Sequence, residues 1–204
     1  MDRYFRRDAS DDTALLASPS GSLLTAGTLV RLALLPAFLY AAVRIRLFAV
    51  INYGYVIHEF DPWFNYRATE YLAERGWHAF FHWFDYMSWY PLGRPVGTTI
   101  YPGMQITSVT IWKLLPYFGT SMSLNDVCCL VPAWFGVSAT FFLAALTYEC
   151  SGSANGAVAA AGIMSVVPAH IMRSVGGGYD NESVAMTAMC MTFFWWCRSL
   201  RGNG

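Results

Sequence analysis

The run VCCLVPAWFGVSATFFLAALTY, residues 127–148, passes 22 residues without an Asp, Glu, Lys, Arg or His. About 20 such residues wound as a helix cross a hydrocarbon core about 30 Å thick. The same run could be the heart of a soluble fold, and composition decides between the two. Hydrophobic residues make up 55% of the 204 and charged residues only 13%, whereas a soluble domain carries roughly 25% charged residues. The mean hydropathy is positive, and the chain reads as a membrane protein. Thirteen basic residues balance thirteen acidic ones. They form no basic stripe of the kind that neutralises a phosphate backbone, so nucleic acid is not expected as a partner. The five cysteines, at 128, 129, 150, 190 and 197, lie within or beside apolar runs. Their spacing fits neither a metal site nor a secreted disulfide scaffold, and they read as small buried side chains.

Working outward from residues 127–148 gives three further spans. Residues 32–50, LALLPAFLYAAVRIRLFAV, are apolar apart from Arg44 and Arg46 near one end, whose long stems are expected to carry the charge to the interface. With the residues before them they make a first span at 23–50. It follows a polar leader, 1–22, that lacks a small-residue cleavage pattern and reads as leading into an uncleaved anchor. Residues 150–172 contain no Asp, Glu, Lys or Arg, which predicts a third span at 156–173 joined to the second by the polar hairpin ECSGSANG. Residues 183–200 are charge-free until Arg198 and make a fourth. Residues 98–118 carry Pro102, Gln105, four threonines and Lys113, which predicts an interfacial or protein-covered helix rather than a span. The expected fold is all-α: a polytopic membrane protein with about four transmembrane helices and a loop bearing interfacial helices. Arg3, Arg6 and Arg7 before the first span, and Arg198 and Arg201 at the end of the last, place both ends in the cytoplasm by the positive-inside tendency. Arg44 and Arg46 run against that orientation. Residues 51–126 and 174–182 then share the opposite, luminal or external face, with 149–155 and 201–204 cytosolic.

That topology unites two acidic stretches far apart in sequence. HEFDPWFNYR, residues 58–67, supplies Glu59 and Asp61, and GYDNE, residues 178–182, supplies Asp180 and Glu182. Each has a plain reading: Asp61 before Pro62 is a good helix start, with the carboxylate capping free amides, and GGGYDN is a good turn. Together they point further, because ionisable groups near membrane depth are costly and are kept for a site. Paired carboxylates suit a hard divalent cation, Mg²⁺ or Mn²⁺, which leaves positions for water or phosphate. Arg94, in WYPLGRPVG, is a candidate phosphate contact because a guanidinium binds phosphate bidentately, and equally a candidate loop stabiliser. His58, His78 and His82 lack a zinc-binding spacing, and Asp85 has no evident role.

HEFDPWFNYRATEYLAERGWHAFFHWFDYMSWYPLGRPVGTTIYPG, residues 58–103, followed by SVGGGYDNES, residues 174–183, resembles the amino-terminal part of the catalytic subunit of eukaryotic oligosaccharyltransferase, the dolichyl-diphosphooligosaccharide–protein glycosyltransferase. The likeness runs from about Arg46 through Arg198. It implies the C-type glycosyltransferase fold and en bloc transfer of an oligosaccharide from a dolichyl-pyrophosphate carrier to Asn in Asn-X-Ser/Thr sequons, at the luminal face of the endoplasmic reticulum membrane. It implies that Asp61 binds the metal and hydrogen-bonds the acceptor amide, that Asp180 is a direct ligand, and that Glu182 is a ligand or its support. Implied partners are the lipid-linked oligosaccharide, the acceptor polypeptide, the bilayer and other oligosaccharyltransferase subunits. The family's later acidic loop residue and its Trp-Trp-Asp-Tyr-Gly motif fall beyond Gly204, so these 204 residues alone are expected to be inactive. Asn181-Glu182-Ser183 spells a sequon itself and is expected to stay unmodified. Two other readings stand beside this one: another polyprenyl-phosphate-sugar-dependent membrane glycosyltransferase, and a non-catalytic membrane scaffold.

Overall fold

The computed structural model describes residues 26–201, so the expected leader, 1–22, lies outside the described residues. Nine α-helices carry the described chain: α1 (Ala26–Arg46), α2 (Phe48–Tyr53), α3 (Phe60–Phe81), α4 (Val96–Thr99), α5 (Gly103–Leu114), α6 (Leu124–Ser151), α7 (Ala154–Val166), α8 (Pro168–Met172) and α9 (Glu182–Leu200). Among the described residues, the only strands are β1 (Phe84–Asp85) and β2 (Arg94–Pro95), which pair antiparallel with Phe84 opposite Pro95. The fold is all-α.

The central helix, α6, is bounded by strong local signals. Ser123 and Asp126 form a reciprocal capping box, with Asp126 N donating to Ser123 Oγ and Ser123 N to Asp126 Oδ2. Gly152, in the left-handed region at φ 66°, ends the helix, and Ser153 caps α7 at once by accepting from Gly156 N. The hairpin is therefore a two-residue reversal. Helices α1, α7 and α9 pack against α6, and α1 also packs on α7.

Among the described residues, two helices are long and apolar enough to cross a bilayer, Gly27–Arg46 and Leu124–Ser151; α7 is a shorter apolar helix. Little of α1 is buried within the chain. Leu29, Val30, Leu32 and Tyr40 on α1, and Met189, Phe193, Trp195 and Trp196 on α9, face outward, leaving apolar surface of an extent that soluble proteins cover. Residues 156–173 do not run as one helix. Pro168 has no N–H to donate to Met164 and biases Val167 to an extended conformation (φ −64°, ψ 123°), so α7 stops at Val166 and α8 begins anew.

Helices α3 to α5 form a cap at the end of the bundle where α1 finishes and α6 and α9 begin. The buried positions of α3 before its kink at Gly76, Pro62, Asn65, Ala68, Thr69 and Leu72, recur at helical spacing and make one inward stripe. Its lower part meets Phe80, Val96, Ile100 and Val109 in one apolar cluster. A second cluster, of Ile57, Met104, Val127, Cys128, Cys129, Val131 and Tyr179, joins the cap to α6 and to the loop before α9. Within residues 98–118, α5 buries Met104, Gln105, Ser108 and Val109 under protein.

Candidate functional site

The glycine loop before α9 is gripped from three sides. Gly176 N donates to the Arg46 carbonyl at 2.7 Å, Gly177 N to the Cys129 carbonyl at 2.9 Å, and His58 N to the Gly177 carbonyl at 3.2 Å. His58 Nε2 also lies 3.2 Å from Gly176 O. Gly177 has φ 89°, and a Cβ there would strike Val56 O and the His58 ring. Only glycine fits this position.

Past the glycines the loop meets α3 through a buried polar network. Asn65 Nδ2 donates to Tyr179 O at 3.3 Å and to Asp180 Oδ1 at 3.1 Å, while its Oδ1 accepts from Gln105 Nε2 at 3.2 Å. The Tyr179 hydroxyl donates to Ser108 Oγ at 2.7 Å and shares a 2.9 Å hydrogen bond with Thr69 Oγ1. Tyr179 is fully buried, and burial holds its phenol well above the ordinary value and so neutral.

This network sets the carboxylates in relation. Asp61 and Asn65 are four residues apart on α3, neighbours on one helix face, so Asp61 stands one turn from the side chain that touches Asp180. Asp61 does not cap its helix. The helix starts two residues earlier than that reading has it, at Phe60, with Glu59 at the N-cap and no side-chain capping bond, and Asp61 is exposed. Asp180 Oδ1 also accepts from Asn181 N at 2.8 Å. Glu182 Oε1 pairs with Arg173 Nη1 at 3.4 Å, while Glu182 Oε2 and Asn181 Oδ1 are enclosed without a hydrogen-bond partner among the described residues.

Oxygen donors of this kind fit a hard divalent cation, and the two orphaned oxygens beside Asp180 are what such an ion would satisfy. Among the described residues no group of three or more His, Cys, Asp or Glu side chains converges closely enough to hold a metal by itself. His78 and His82 stack on each other at 4.7 Å, away from these oxygens.

Arg94 is held in place. Its Nε donates to Thr99 Oγ1 at 3.0 Å and its Nη2 to Thr99 O at 3.4 Å, and its guanidinium carbon lies 4.7 Å from the Phe64 ring centre and 5.3 Å from that of Trp89. Nη1 makes no hydrogen bond among the described residues. Asp85 has a clear structural role: buried, it receives Arg67 through two bonds of 3.0 Å, the Met87 amide at 3.0 Å and Ser88 Oγ at 2.7 Å. Burial pushes this carboxyl upward, but the bonds from Ser88, Arg67 and Met87 outweigh it and hold it below the ordinary value.

Under the loop lies Arg46, whose charge turns into the protein instead of outward. It is fully buried, with Nε donating to Ser174 Oγ at 2.9 Å, Nη1 to the Ala42 and Ser165 carbonyls at 3.1 Å and Nη2 to the Met164 carbonyl at 3.4 Å. A Cβ on Gly136 would strike its side chain. Sequence reasoning passed over Asn65 and Tyr179, and read Arg46 as carrying its charge outward. The available signals were the i, i+4 relation of Asn65 to Asp61 and a charge inside an apolar run.

A family model described as "Oligosaccharyl transferase STT3, N-terminal" matches residues 28–203. Subunit STT3A of the dolichyl-diphosphooligosaccharide–protein glycosyltransferase of Oryza sativa subsp. japonica is 43% identical over 185 residues, covering 91% of this chain and 23% of its own length. Subunit STT3 from Saccharomyces cerevisiae is 44% identical over 177 residues, or 84% of this chain and 24% of its own. Subunit stt3 from Schizosaccharomyces pombe is 45% identical over 166 residues, or 80% and 22%. The chain spans about a quarter of the length of the curated relatives it matches.

Proposed function

Because the chain belongs to the oligosaccharyl transferase STT3 N-terminal family, we propose that it supplies the first part of the active site of an enzyme that moves an oligosaccharide en bloc from a dolichyl-pyrophosphate carrier to Asn in Asn-X-Ser/Thr sequons. The observation that carries this reading is the 3.1 Å bond from Asn65 to Asp180. It sets the start of α3, with Asp61, against the loop that bears Asp180 and Glu182.

In this reading Asp61 accepts a hydrogen bond from the acceptor amide and, with Asp180 and Glu182, holds Mg²⁺ or Mn²⁺. Bound there, the ion supplies a template and a Lewis acid that offsets the charge of the pyrophosphate leaving group. Asp180 is kept in position by Asn65, and Glu182 by Arg173. Arg94, pre-set by Thr99 and two aromatic rings, offers its remaining donor edge to the carrier's phosphates. The enzyme sits in the endoplasmic reticulum membrane with four spans in this region, residues 51–126 and 174–182 luminal, and works beside other subunits. Segments 183–200 and 156–173 act as spans although one carries Arg198 near its end and the other is broken, since Glu149 of α6 pairs with that arginine and Arg46 takes up the Met164 and Ser165 carbonyls beside the break.

The test uses the full-length protein in cells that depend on it. Asp61→Asn and Asp180→Asn are expected to abolish occupancy of a reporter sequon at unchanged protein level, and Glu182→Gln to lower it about 10- to 100-fold. Full occupancy with either Asn variant would overturn the assignment.

A further inference from the structure

Two of the five cysteines stand apart from the core. Cys150, the penultimate residue of α6, is exposed, and Cys197, in the last turns of α9, is half-buried. Their sulfurs lie 3.8 Å apart although the residues are 47 positions apart. Cys128 and Cys129 are enclosed in the core at the other end of α6, far along the helix from this pair. An ion cluster holds the two helix ends in register. Glu149, buried beside Cys150, receives Arg198 Nη1 at 2.9 Å and Arg201 Nη1 at 3.0 Å, two arginines that follow Cys197 in the chain.

We propose that Cys150 and Cys197 form a dithiol site that closes reversibly to a disulfide, joining the ends of α6 and α9, by exchange with a low-molecular-weight disulfide. A disulfide bond is about 2.05 Å long, so side-chain rotation on two terminal turns must bring the sulfurs closer by less than about 2 Å. Cys150, the exposed partner, reacts first. Its thiolate attacks one sulfur of RSSR, forming Cys150–S–S–R and releasing RS⁻, which takes up the proton the thiol gave away. The Cys197 thiolate then attacks the Cys150 sulfur, forms the interhelix bond and expels the second RS⁻, which is protonated in turn. Two thiols are oxidised and one small disulfide is reduced to two thiols. The site is separate from the carboxylate site, and the proposal does not depend on the glycosyltransferase reading.

The experiment treats the full-length protein in native membranes with glutathione disulfide, blocks free thiols with N-ethylmaleimide, and digests with trypsin without reductant. Cleavage after Lys113, Arg173 and Arg198 yields residues 114–173 and 174–198. Mass spectrometry is expected to find these two peptides linked, and to find the link lost on reduction. The link is lost in Cys150→Ser and Cys197→Ser and kept in Cys190→Ser, and Cys197→Ser accumulates the glutathione mixed disulfide at Cys150. A link that survives Cys150→Ser, a wild-type protein that stops at the mixed disulfide, or thiols that all remain alkylable would each overturn the proposal.

Discussion

Replacing Arg46 with alanine removes four hydrogen bonds at once, to one hydroxyl and three carbonyls, and opens a void beside Gly136. Bonds from a charged donor and cavity terms of this kind together amount to about 2–4 kcal/mol. Arg44, exposed on the same helix, is expected to change stability by less than about 0.5 kcal/mol. Thermal unfolding of the two variants in detergent checks the contrast. Asp85 makes a second residue-scale prediction. Its carboxyl is held below the ordinary value, so the stability it contributes is fully present above the unfolded-state pKa of about 3.9 and is lost as the pH falls below that. The 84–95 turn should therefore loosen only in strong acid, and in Asp85→Asn it should be open to proteolysis at neutral pH. Neither role was legible in the sequence. An arginine near the end of an apolar run reads as snorkelling, because nothing local says that a broken neighbour will offer it carbonyls. The Arg67–Asp85 pair spans 18 residues and has no periodic signature.

At the scale of elements, the loop before α9 depends on Gly177. An alanine there takes up a left-handed backbone, costs about 1–3 kcal/mol and pushes against Val56 and His58. Gly177→Ala in the full-length protein is expected to lose sequon transfer while far-ultraviolet circular dichroism keeps the helix signal; equal transfer by the variant would show that the loop tolerates displacement. Gly178, with no positive φ and its nearest would-be contact Val175 Cγ1 at 3.2 Å, should tolerate alanine better. The helices themselves were legible, since Ser123, Gly152 and Ser153 are local start and stop signals and α6 is apolar along its length. The break at Val167 was also legible, because a proline inside an apolar run ends a helix just before it; hydropathy alone runs straight through it. The site was legible as two acidic stretches expected on one face, but not the contacts between them. What joins them is an asparagine on α3 and a tyrosine in the loop, chosen by shape rather than by charge.

At the scale of the molecule, the proposed topology puts residues 51–126 and 174–182 on one face and the 149–155 hairpin on the other. Single cysteines at Thr120, Asp180 and Ser151, in a background without Cys150 and Cys197, test it. An impermeant maleimide on sealed microsomes should label position 151 and reach 120 and 180 only after the membrane is opened; labels at 120 and 180 from opposite sides would end the shared-site reading. The long-range bonds of Arg46 also bear on how such a chain is made. Met164 and Ser174 lie 118 and 128 residues downstream of it, and synthesis proceeds from the amino terminus. In the proposed topology a newly inserted α1 would park its guanidinium among the lipid headgroups, as an isolated helix does. It can withdraw inward only after the ribosome has delivered the broken segment. Arg46 would be an anchor in the nascent chain and is a latch in the finished one.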